Sequence, residues 1–255
     1  MGADAAMDGP GKQQTDPRVA DIVQAARIRL ALFLPQYIRH AESGQPAGVG
    51  TGFIAIEMAR ELAARLGVAL HVIEHQTPTE TVEGLKTNAC DVAFLGIEPS
   101  RAAAVDFSPP IFQFDYTYLV PAGSAISAAA EADRSGVRIA VVSSHASALA
   151  LRRMVSHAQL VGSELPDAAF ELLRAGKADA FALPREQLLD YSAALPGSRV
   201  LEDSYGINRV AMAVPKGRAG WLAYVGEFAA QAKASGFIER AIARGALRGF
   251  AVAGP

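Results

Sequence analysis

Residues 90–112, CDVAFLGIEPSRAAAVDFSPPIF, are the most informative part of the chain. They join a short apolar strand, a turn at Gly96, a helix that begins near Pro99 and an aromatic-acidic corner at Asp106. Proline favours the first position of a helix, which places Arg101 in the first turn. A cation there opposes the helix dipole, and a bound anion would remove that penalty. The stretch therefore predicts a strand, a turn and a short helix that offers an arginine to an anionic partner.

Strands and helices alternate on both sides of this unit. The predicted strands are residues 28–33, 68–73, 92–95, 116–120, 137–142, 180–183 and 209–214. The predicted helices are residues 54–66, a helix that begins with the capping box at 77–80, and residues 148–155, 166–174 and 222–232. Strands that alternate with helices favour largely parallel sheets, in which ligands bind beyond the carboxyl ends of the strands. The chain is therefore predicted to be an α/β protein.

Composition excludes several classes of protein. The chain has 24 basic and 26 acidic side chains and no basic block, so we expect no nucleic-acid partner. Nothing approaches the roughly 18 consecutive apolar residues of a membrane span, so we expect no membrane insertion. Cys90 is the single cysteine, which excludes an internal disulfide. A free thiol just before a buried strand is expected to act as a small hydrophobic side chain.

Two motifs imitate known sites without their context. Residues 48–52, GVGTG, look like part of a dinucleotide fingerprint, but no strand immediately precedes them and a phenylalanine takes the place of the third glycine. His71 and His75 lie four residues apart at the end of a predicted strand, where they lack the helical spacing of a metal site. We therefore expect no cofactor and no metal.

Eight residues of the opening stretch match the ligand-contacting core of one protein family. They fall in register with the run x-D-x-x-x-x-x-x-T-P-x-R-x-x-x-V-D-F-S-x-P and are Asp91, Pro99, Arg101, Val105, Asp106, Phe107, Ser108 and Pro110. On these residues the chain resembles solute-binding protein family 3, the amino-acid-binding branch of the type II periplasmic binding proteins, and the resemblance extends over residues 27–250.

The resemblance implies a two-lobed α/β fold of the type II periplasmic-binding-protein kind, with mixed, mostly parallel sheets and a double-crossing hinge. The crossings are expected near Val120-Pro121 and Val214-Pro215, where extended segments join two sets of strands and helices. The expected division is a flexible N-terminal tail at residues 1–26, lobe 1 at residues 27–120 and 215–255, and lobe 2 at residues 121–214.

The resemblance also implies a ligand site between the lobes. In lobe 1, Arg101 would hold a carboxylate of the solute, Tyr37 would form an aromatic wall, and the backbone at Gly96 would approach the solute closely. Glu98 stands where the family has serine or threonine, and it could instead pair locally with Arg101. Asp115 is expected either to contact the ligand or to brace the hinge.

In lobe 2, the residues that follow a strand and open a helix are expected to grip the anionic end of the ligand. These are Ser143, Ser144, His145 and Ser147. Ser147 could equally be the N-cap of the helix. Pro184 replaces the aspartate that pairs with the ammonium group of amino acids in this family. Arg185 follows it and would favour a dicarboxylate or another amine-free anion, unless it is a solvated helix residue.

The function that the resemblance implies is capture of a small polar or anionic metabolite, amino-acid-like or a carboxylate, between two lobes. The protein would be a periplasmic monomer that serves the permease of an ABC transporter. Residues 1–17, however, lack the charged start and apolar core of a secretory signal, so a cytoplasmic ligand sensor is one alternative. Another is a lyase that resembles cyclohexadienyl dehydratase, with Glu98 or Glu186 as the acid.

Overall fold

The computed structural model describes residues 16–34, 36–39 and 46–254. Within these ranges the helices are α1 (Ala20–Gln24), α2 (Thr51–Leu66), α3 (Pro78–Lys86), α4 (Pro99–Ala102), α5 (Ala146–Met154), α6 (Pro166–Arg174), α7 (Arg185–Ala193), α8 (Ala219–Ala234) and α9 (Phe237–Arg244). The strands are β1 (Arg27–Phe33), β2 (Tyr37–Arg39), β3 (Pro46–Gly48), β4 (Ala69–His75), β5 (Val92–Gly96), β6 (Val105–Phe107), β7 (Phe112–Val120), β8 (Arg138–Val142), β9 (Gln159–Ser163), β10 (Ala180–Pro184), β11 (Arg199–Val200), β12 (Gly206–Pro215) and β13 (Phe250–Val252).

The ends of the first long helices follow the local sequence. α2 ends at Gly67, whose φ of 64° lies in the left-handed region that glycine enters without a steric penalty. α3 begins after Thr77, whose hydroxyl accepts a hydrogen bond from the Glu80 amide at 3.2 Å. The Glu80 carboxylate accepts from the Gln76 amide at 2.8 Å, one residue before the amide expected in a capping box. The predicted end at Gly67 and the predicted start at Thr77 are both confirmed.

The strands form a mixed sheet in the order β4-β1-β5-β12-β7-β10-β8-β9. β6 pairs with β12, β11 and β13 pair with β7, and β2 and β3 form a separate pair. β1 is parallel to β4 and β5, and β8 is parallel to β9 and β10. β12 and β7 run antiparallel to their neighbours. Each end of the sheet is therefore a parallel set, and β12 and β7 connect the two sets.

Buried side chains form separate cores on the two sides of these connecting strands. In lobe 1, α2, α8 and α9 cover one face of the parallel set, and α3 covers the other. In lobe 2, α5 and α6 contribute to cores on opposite faces of β8 and β10. Two lobes joined by two crossing strands are the predicted type II arrangement, which is confirmed.

The change of lobe falls inside the crossing strands. Phe114 packs in a core of lobe 1, whereas Tyr118, four residues further along β7, packs in a core of lobe 2. In β12, Val210 already lies in the lobe 1 core. Val120-Pro121 and Val214-Pro215, the expected crossings, mark the ends of the two strands instead. We therefore propose that lobe 1 comprises residues 27–116 and 206–254, and lobe 2 residues 117–205.

The residues just before β1 are folded onto lobe 1. A single 3-10 turn at Pro17–Val19 leads into α1. The Asp16 carboxylate accepts a hydrogen bond from the Arg18 amide at 2.9 Å. Val19 and Ile22 are buried in the lobe 1 core. The expectation of a flexible tail is therefore wrong for residues 17–24, because their two apolar side chains reach the core, and residues 1–15 lie outside the described part of the chain.

The parallel set of strands in each lobe contains an equivalent arginine–aspartate ion pair. In lobe 1 the Asp91 carboxylate accepts hydrogen bonds from the Arg29 amide, Nε and Nη2 at 2.8, 3.0 and 2.7 Å. In lobe 2 the Asp179 carboxylate accepts from the same three atoms of Arg138 at 2.8, 3.0 and 2.8 Å. The Asp91 side chain is 4% exposed and the Asp179 side chain 38%. The two lobes thus contain ion pairs with the same hydrogen-bond pattern, and the aspartate is more deeply buried in lobe 1 than in lobe 2.

Cys90 lies in a core of lobe 1, and burial raises the pKa of its thiol to about 11. It acts as predicted, as a small hydrophobic side chain. Across the described ranges, no helix is long and apolar enough to cross a bilayer. His71 and His75 both lie in β4, and no three or more His, Cys, Asp or Glu side chains of the described residues gather as a metal site.

Candidate functional site

A cavity of about 490 Å³ lies between the two lobes. It lies beyond the carboxyl ends of two central parallel strands, because Gly96 ends β5 and His145 follows β8, and both line it. This is the place where open α/β sheets bind their ligands. The volume falls within the range of about 300–1,000 Å³ that is typical of small-molecule sites.

Arg101 is the only arginine among the described residues that line the cavity, and it lies on the short helix α4. Its side chain donates hydrogen bonds from Nη1 to the Gly96 carbonyl at 3.2 Å and from Nη2 to the Ser144 carbonyl at 3.3 Å. The residue is 7% exposed, and burial lowers its pKa. Among the described residues no carboxylate forms an ion pair with it. A buried cation without a counter-ion is costly, so an anion at this point would be strongly stabilised.

Glu98 does not pair with Arg101, which corrects the expected local pairing. Its carboxylate accepts a hydrogen bond from Nη1 of Arg153 at 2.6 Å. Arg153 lies on α5 in lobe 2, so this ion pair joins the lobes. Glu98 is the N-cap residue of α4 and has an extended backbone, which directs its side chain away from the helical i, i+3 position. The guanidinium of Arg101 is therefore left for another anion.

His145 presents a neutral donor beside Arg101. Its Nδ1 accepts a hydrogen bond from the Ser147 amide at 3.2 Å and lies 2.8 Å from the Ser147 hydroxyl. An Nδ1 that accepts a backbone N–H carries a lone pair, so the ring proton resides on Nε2. Burial, with a smaller effect of the Arg101 charge, lowers the pKa of His145 to about 3. His145 is the N-cap of α5, and the suggestion that Ser147 caps this helix is wrong.

Two polar groups near Arg101 have no hydrogen-bond partner among the described residues. They are the Ser144 hydroxyl and the Tyr116 hydroxyl, and both oxygen atoms are buried. Ser144 is the residue whose carbonyl accepts from Arg101, and the Tyr116 ring lies edge-on to the His145 ring at 6.0 Å. Buried polar groups are nearly always paired in native proteins. Neither residue lines the cavity, so these two hydroxyls are not placed to contact a ligand in this structure.

Gly96 is required by a close approach within the site. A Cβ at this position would overlap the side chain of Asn208 on β12, which also lines the cavity. The sequence predicted that glycine here allows close approach of the solute. The approaching group in this structure is Asn208, which sequence reasoning missed because the pairing of β5 with β12 brings it there from 112 residues away.

Tyr37 and Ser143 lie outside the cavity lining. The Tyr37 hydroxyl donates to the His75 carbonyl at 3.3 Å, and the cavity wall in this region is formed by Phe33 and Gln36 instead. Phe33 also packs in a core of lobe 1, where it is 7% exposed. The Ser143 hydroxyl packs against Gly162 of β9.

Asp115 and Arg185 pair with each other and not with the cavity. Nε of Arg185 donates to the Asp115 carboxylate at 2.7 Å, and Nη1 donates to the Leu201 carbonyl at 2.6 Å. The pair therefore ties β7 and α7 to the segment that leads into β12. Of the two roles left open for Asp115, the geometry favours bracing of the hinge. Because Arg185 is engaged in this pair and does not line the cavity, it does not favour a dicarboxylate ligand there.

The lining on the lobe 2 side comes largely from α7, which the strand and helix patterns did not predict. Its cavity residues are Glu186, Gln187, Asp190, Tyr191 and Ala194. Burial, and to a smaller extent the charge of Asp190, raises the pKa of Glu186 to about 7. The only buried side chain of α7 is Leu188, so the helix has little apolar periodicity by which it could have been found.

We expect His145 to remain neutral down to about pH 5, because burial and Arg101 oppose its protonation. Imidazole ¹⁵N NMR should show Nε2 protonated and Nδ1 unprotonated at pH 7, with no change on titration to pH 5. The exposed His157 supplies a reference signal in the same spectra. A His145 resonance that titrates near pH 6 would contradict the assignment.

The same property predicts acid sensitivity. In the unfolded chain a histidine protonates near pH 6.5, so the unfolded state binds the extra proton and stability falls as the pH drops below that value. The slope reaches at most about 1.4 kcal/mol per pH unit and ends near the folded pKa of about 3. Urea denaturation of His145→Asn, which can still cap α5, should show a smaller loss between pH 7 and pH 5 than the parent protein.

Comparison with known proteins agrees with the fold. Residues 33–244 match the family described as bacterial extracellular solute-binding proteins, family 3. An ancestral amino acid-binding protein, described as a precursor of cyclohexadienyl dehydratase, is similar with a TM-score of 0.74 and 24% identity, over 89% of this chain and 97% of that one. No curated protein matches the chain.

Two further solved structures from bacteria share the fold. A putative ABC transporter binding component from Wolinella succinogenes, complexed with lysine, has a TM-score of 0.73 and 22% identity, over 86% of this chain and 95% of that one. A solute receptor for L-cysteine of Neisseria gonorrhoeae has a TM-score of 0.75 and 22% identity, over 91% and 94%. These likenesses establish the fold, and the family match extends over most of the sequence, so the chain belongs to the bacterial extracellular solute-binding proteins, family 3.

Proposed function

We propose that this protein captures a small solute that bears a carboxylate group, encloses it between its two lobes and delivers it to an ABC transporter. The observation that carries the proposal is Arg101, a buried cation in the interlobe cavity whose hydrogen bonds within the described residues go only to backbone carbonyls. A planar guanidinium fits a carboxylate better than any other common anion of similar size. The membership of a solute-binding family supports the same reading.

Capture would proceed by closure of the lobes on the carboxylate. Arg101 belongs to lobe 1, whereas Ser144 and His145 belong to lobe 2, and all three meet only when the lobes are together. The carboxylate would accept hydrogen bonds from the guanidinium and from Nε2 of His145, the two side chains of this group that line the cavity. Closure removes these groups from water, which strengthens each of the bonds.

A ligand screen tests this function directly. Thermal unfolding of the purified protein would be followed with amino acids, other monocarboxylates, dicarboxylates and polyamines, and the protein would be denatured to release any co-purified small molecule for mass spectrometry. A ligand at a hundred times its Kd adds about 2.7 kcal/mol, which is roughly 5–10 °C for a chain of this length. We expect stabilisation only by compounds with a carboxylate. Stabilisation by polyamines alone would contradict the proposal.

Delivery to a transporter is a separate part of the proposal. We expect the mature protein to be a monomer in the periplasmic fraction, and its ligand to be imported by a permease that requires it. Cell fractionation, size-exclusion chromatography and uptake of the labelled ligand with and without the protein would test each point. A protein that remains in the cytoplasm and does not affect uptake would indicate a ligand sensor instead.

A lyase is the second candidate, and Glu186 is the observation that favours it. Its carboxyl group faces the cavity with a pKa of about 7, which suits a general acid at neutral pH. In a prephenate-like substrate it would protonate the departing hydroxyl, which leaves as water while the carboxylate leaves as carbon dioxide. Incubation with such substrates, followed by product analysis for the parent protein and Glu186→Gln, decides between turnover and simple binding.

A further inference from the structure

Asn208 presents a side-chain amide to the interlobe cavity. It lies on the crossing strand β12, is 7% exposed and lines the cavity. Within the described residues, neither Oδ1 nor Nδ2 of Asn208 takes part in a hydrogen bond. Native proteins rarely leave a buried polar group unpaired. An amide carries both an acceptor and donors, so a ligand group that can donate and accept would suit it.

A second buried amide of the lining shows the contrast. Gln36 is 6% exposed, its Nε2 donates to the Phe94 carbonyl at 3.1 Å, and its Oε1 accepts from the Phe33 amide at 3.3 Å. The protein itself therefore engages both ends of the Gln36 amide. Asn208 lines the same cavity without such contacts to the described part of the chain, so its polar atoms are the ones left for a solute.

Asn208 lies beside the point where the carboxylate of the solute would bind. Nη1 of Arg101 donates to the Gly96 carbonyl at 3.2 Å. The Asn208 amide lies over the same glycine, with Nδ2 at 3.0 Å from the position that a Cβ would take there. The guanidinium and the amide thus contact the same residue. When the carboxylate of a solute meets Arg101, the groups on its α carbon come within reach of Asn208.

The charges around Arg101 favour a solute with a single negative charge at this end. Glu98 acts electrostatically on Arg101, but its carboxylate is paired with Arg153, so the three side chains carry one excess positive charge. No other carboxylate of the described residues acts on Arg101. A carboxylate alone would balance the excess charge. An ammonium group on the adjacent carbon would restore a buried cation without a counter-ion, which is costly.

We propose that the solute is a 2-hydroxycarboxylate, whose carboxylate meets Arg101 and whose hydroxyl group pairs with the Asn208 amide. The hydroxyl group is neutral and can donate to Oδ1 or accept from Nδ2, so it satisfies the amide without adding charge. Asn208 thereby determines specificity at the α carbon of the solute. The inference rests on the proposed function, because it takes Arg101 as the carboxylate site.

Isothermal titration calorimetry at pH 7 tests this specificity with sets of three solutes that share a side chain. Each set holds a 2-hydroxycarboxylate, the carboxylate without the hydroxyl group and the amino acid, as in lactate, propanoate and alanine. Further sets carry the side chains of leucine, phenylalanine and glutamate. In the best-bound set, we expect the hydroxy acid to bind at least about tenfold more tightly than the other two. The deoxy analogue leaves the amide unpaired, and the amino acid adds a buried positive charge.

Asn208→Asp places a carboxylate where the amide stands. It should reverse the preference, so that the amino acid binds at least about tenfold more tightly than the hydroxy acid, because its ammonium group then meets an opposite charge. Asn208→Ala should bind the hydroxy acid and its deoxy analogue equally. Asn88→Asp makes the same change at an exposed residue of lobe 1 outside the cavity lining, and it should keep the preference of the parent protein. Unfolding midpoints show whether each variant is folded.

The outcomes separate this inference from the proposed function. If carboxylates bind but the amino acid or the deoxy analogue equals the hydroxy acid, the solute class is wrong and the function stands. A preference for the hydroxy acid that survives Asn208→Ala would overturn the role of Asn208, and this variant decides the point even if Asn208→Asp does not fold. If no carboxylate of these sets or of the thermal screen binds, both the solute class and the proposed function are wrong.

Discussion

Arg101→Ala is expected to weaken the binding of any carboxylate ligand by at least about 30-fold, or about 2 kcal/mol. The truncation removes the one cation of the described cavity lining that can face the ligand's carboxylate, and it leaves the carbonyls of Gly96 and Ser144 without their donor. Loss of one member of a buried charge pair costs far more than loss of a surface ion pair, because the other charge stays buried without compensation. Calorimetric titration of parent and variant with the same ligand measures the effect.

Two further variants make this experiment decisive. Arg101→Lys keeps the charge but loses the planar fork, so an intermediate loss is expected if the contact is bidentate. Arg152→Ala removes an exposed cation on the neighbouring α5 and should leave affinity unchanged. Unfolding midpoints of the ligand-free variants show whether each is folded. Equal affinities for Arg101→Ala and the parent protein would remove the basis of the carboxylate site.

Asp91→Asn is expected to lower the free energy of unfolding by about 3 kcal/mol, and Asp179→Asn by about 1 kcal/mol or less. Each substitution replaces a carboxylate that accepts three hydrogen bonds from one arginine. An amide presents two N–H donors where an acceptor is needed. The two sites differ in depth, since the side chain of Asp91 is 4% exposed and that of Asp179 38%, and Nη1 of Arg218 lies 3.8 Å from the Asp91 carboxylate as a second cation. Urea denaturation at pH 7 gives both values.

Each substitution serves as a control for the other, because the hydrogen-bond geometry of the two pairs is nearly the same. A difference in stability therefore reports the combined effect of burial and of the second arginine beside Asp91. Equal losses at the two sites would show that hydrogen bonding, and not depth, sets the contribution of the pair. Both substitutions are remote from the cavity lining, so ligand affinity should be unaffected in either variant.

The order of elements could be predicted because apolar periodicity and helix ends are local properties of the sequence. Gly67 and Thr77 end one helix and begin another through their own backbone and side chain. The positions at which the chain passes between the lobes were predicted too far along the sequence, and the reason is physical. Pro121 and Pro215 stand at the ends of β7 and β12, but a strand stays regular while its side chains pass from one core to the next.

The site could be predicted only in part, because its decisive contacts are long-range. Arg101 and Gly96 followed from the motif, and His145 from its place after a strand. Glu98 met Arg153 across the cleft, which local spacing could not indicate. α7 escaped prediction because its apolar side chains show little helical periodicity, although Leu188 and Tyr191 pack in a core of lobe 2.

The Glu98–Arg153 pair has a consequence for the lifetime of the complex. It joins α4 of lobe 1 to α5 of lobe 2, and neither residue lines the cavity. In the proposed capture mechanism the solute enters while α4 and α5 are apart, so the pair would hardly change the rate of association. It must break before the solute can leave, and it therefore slows dissociation. A transporter that separates α4 from α5 would shorten the residence time of the solute without competing for the solute itself.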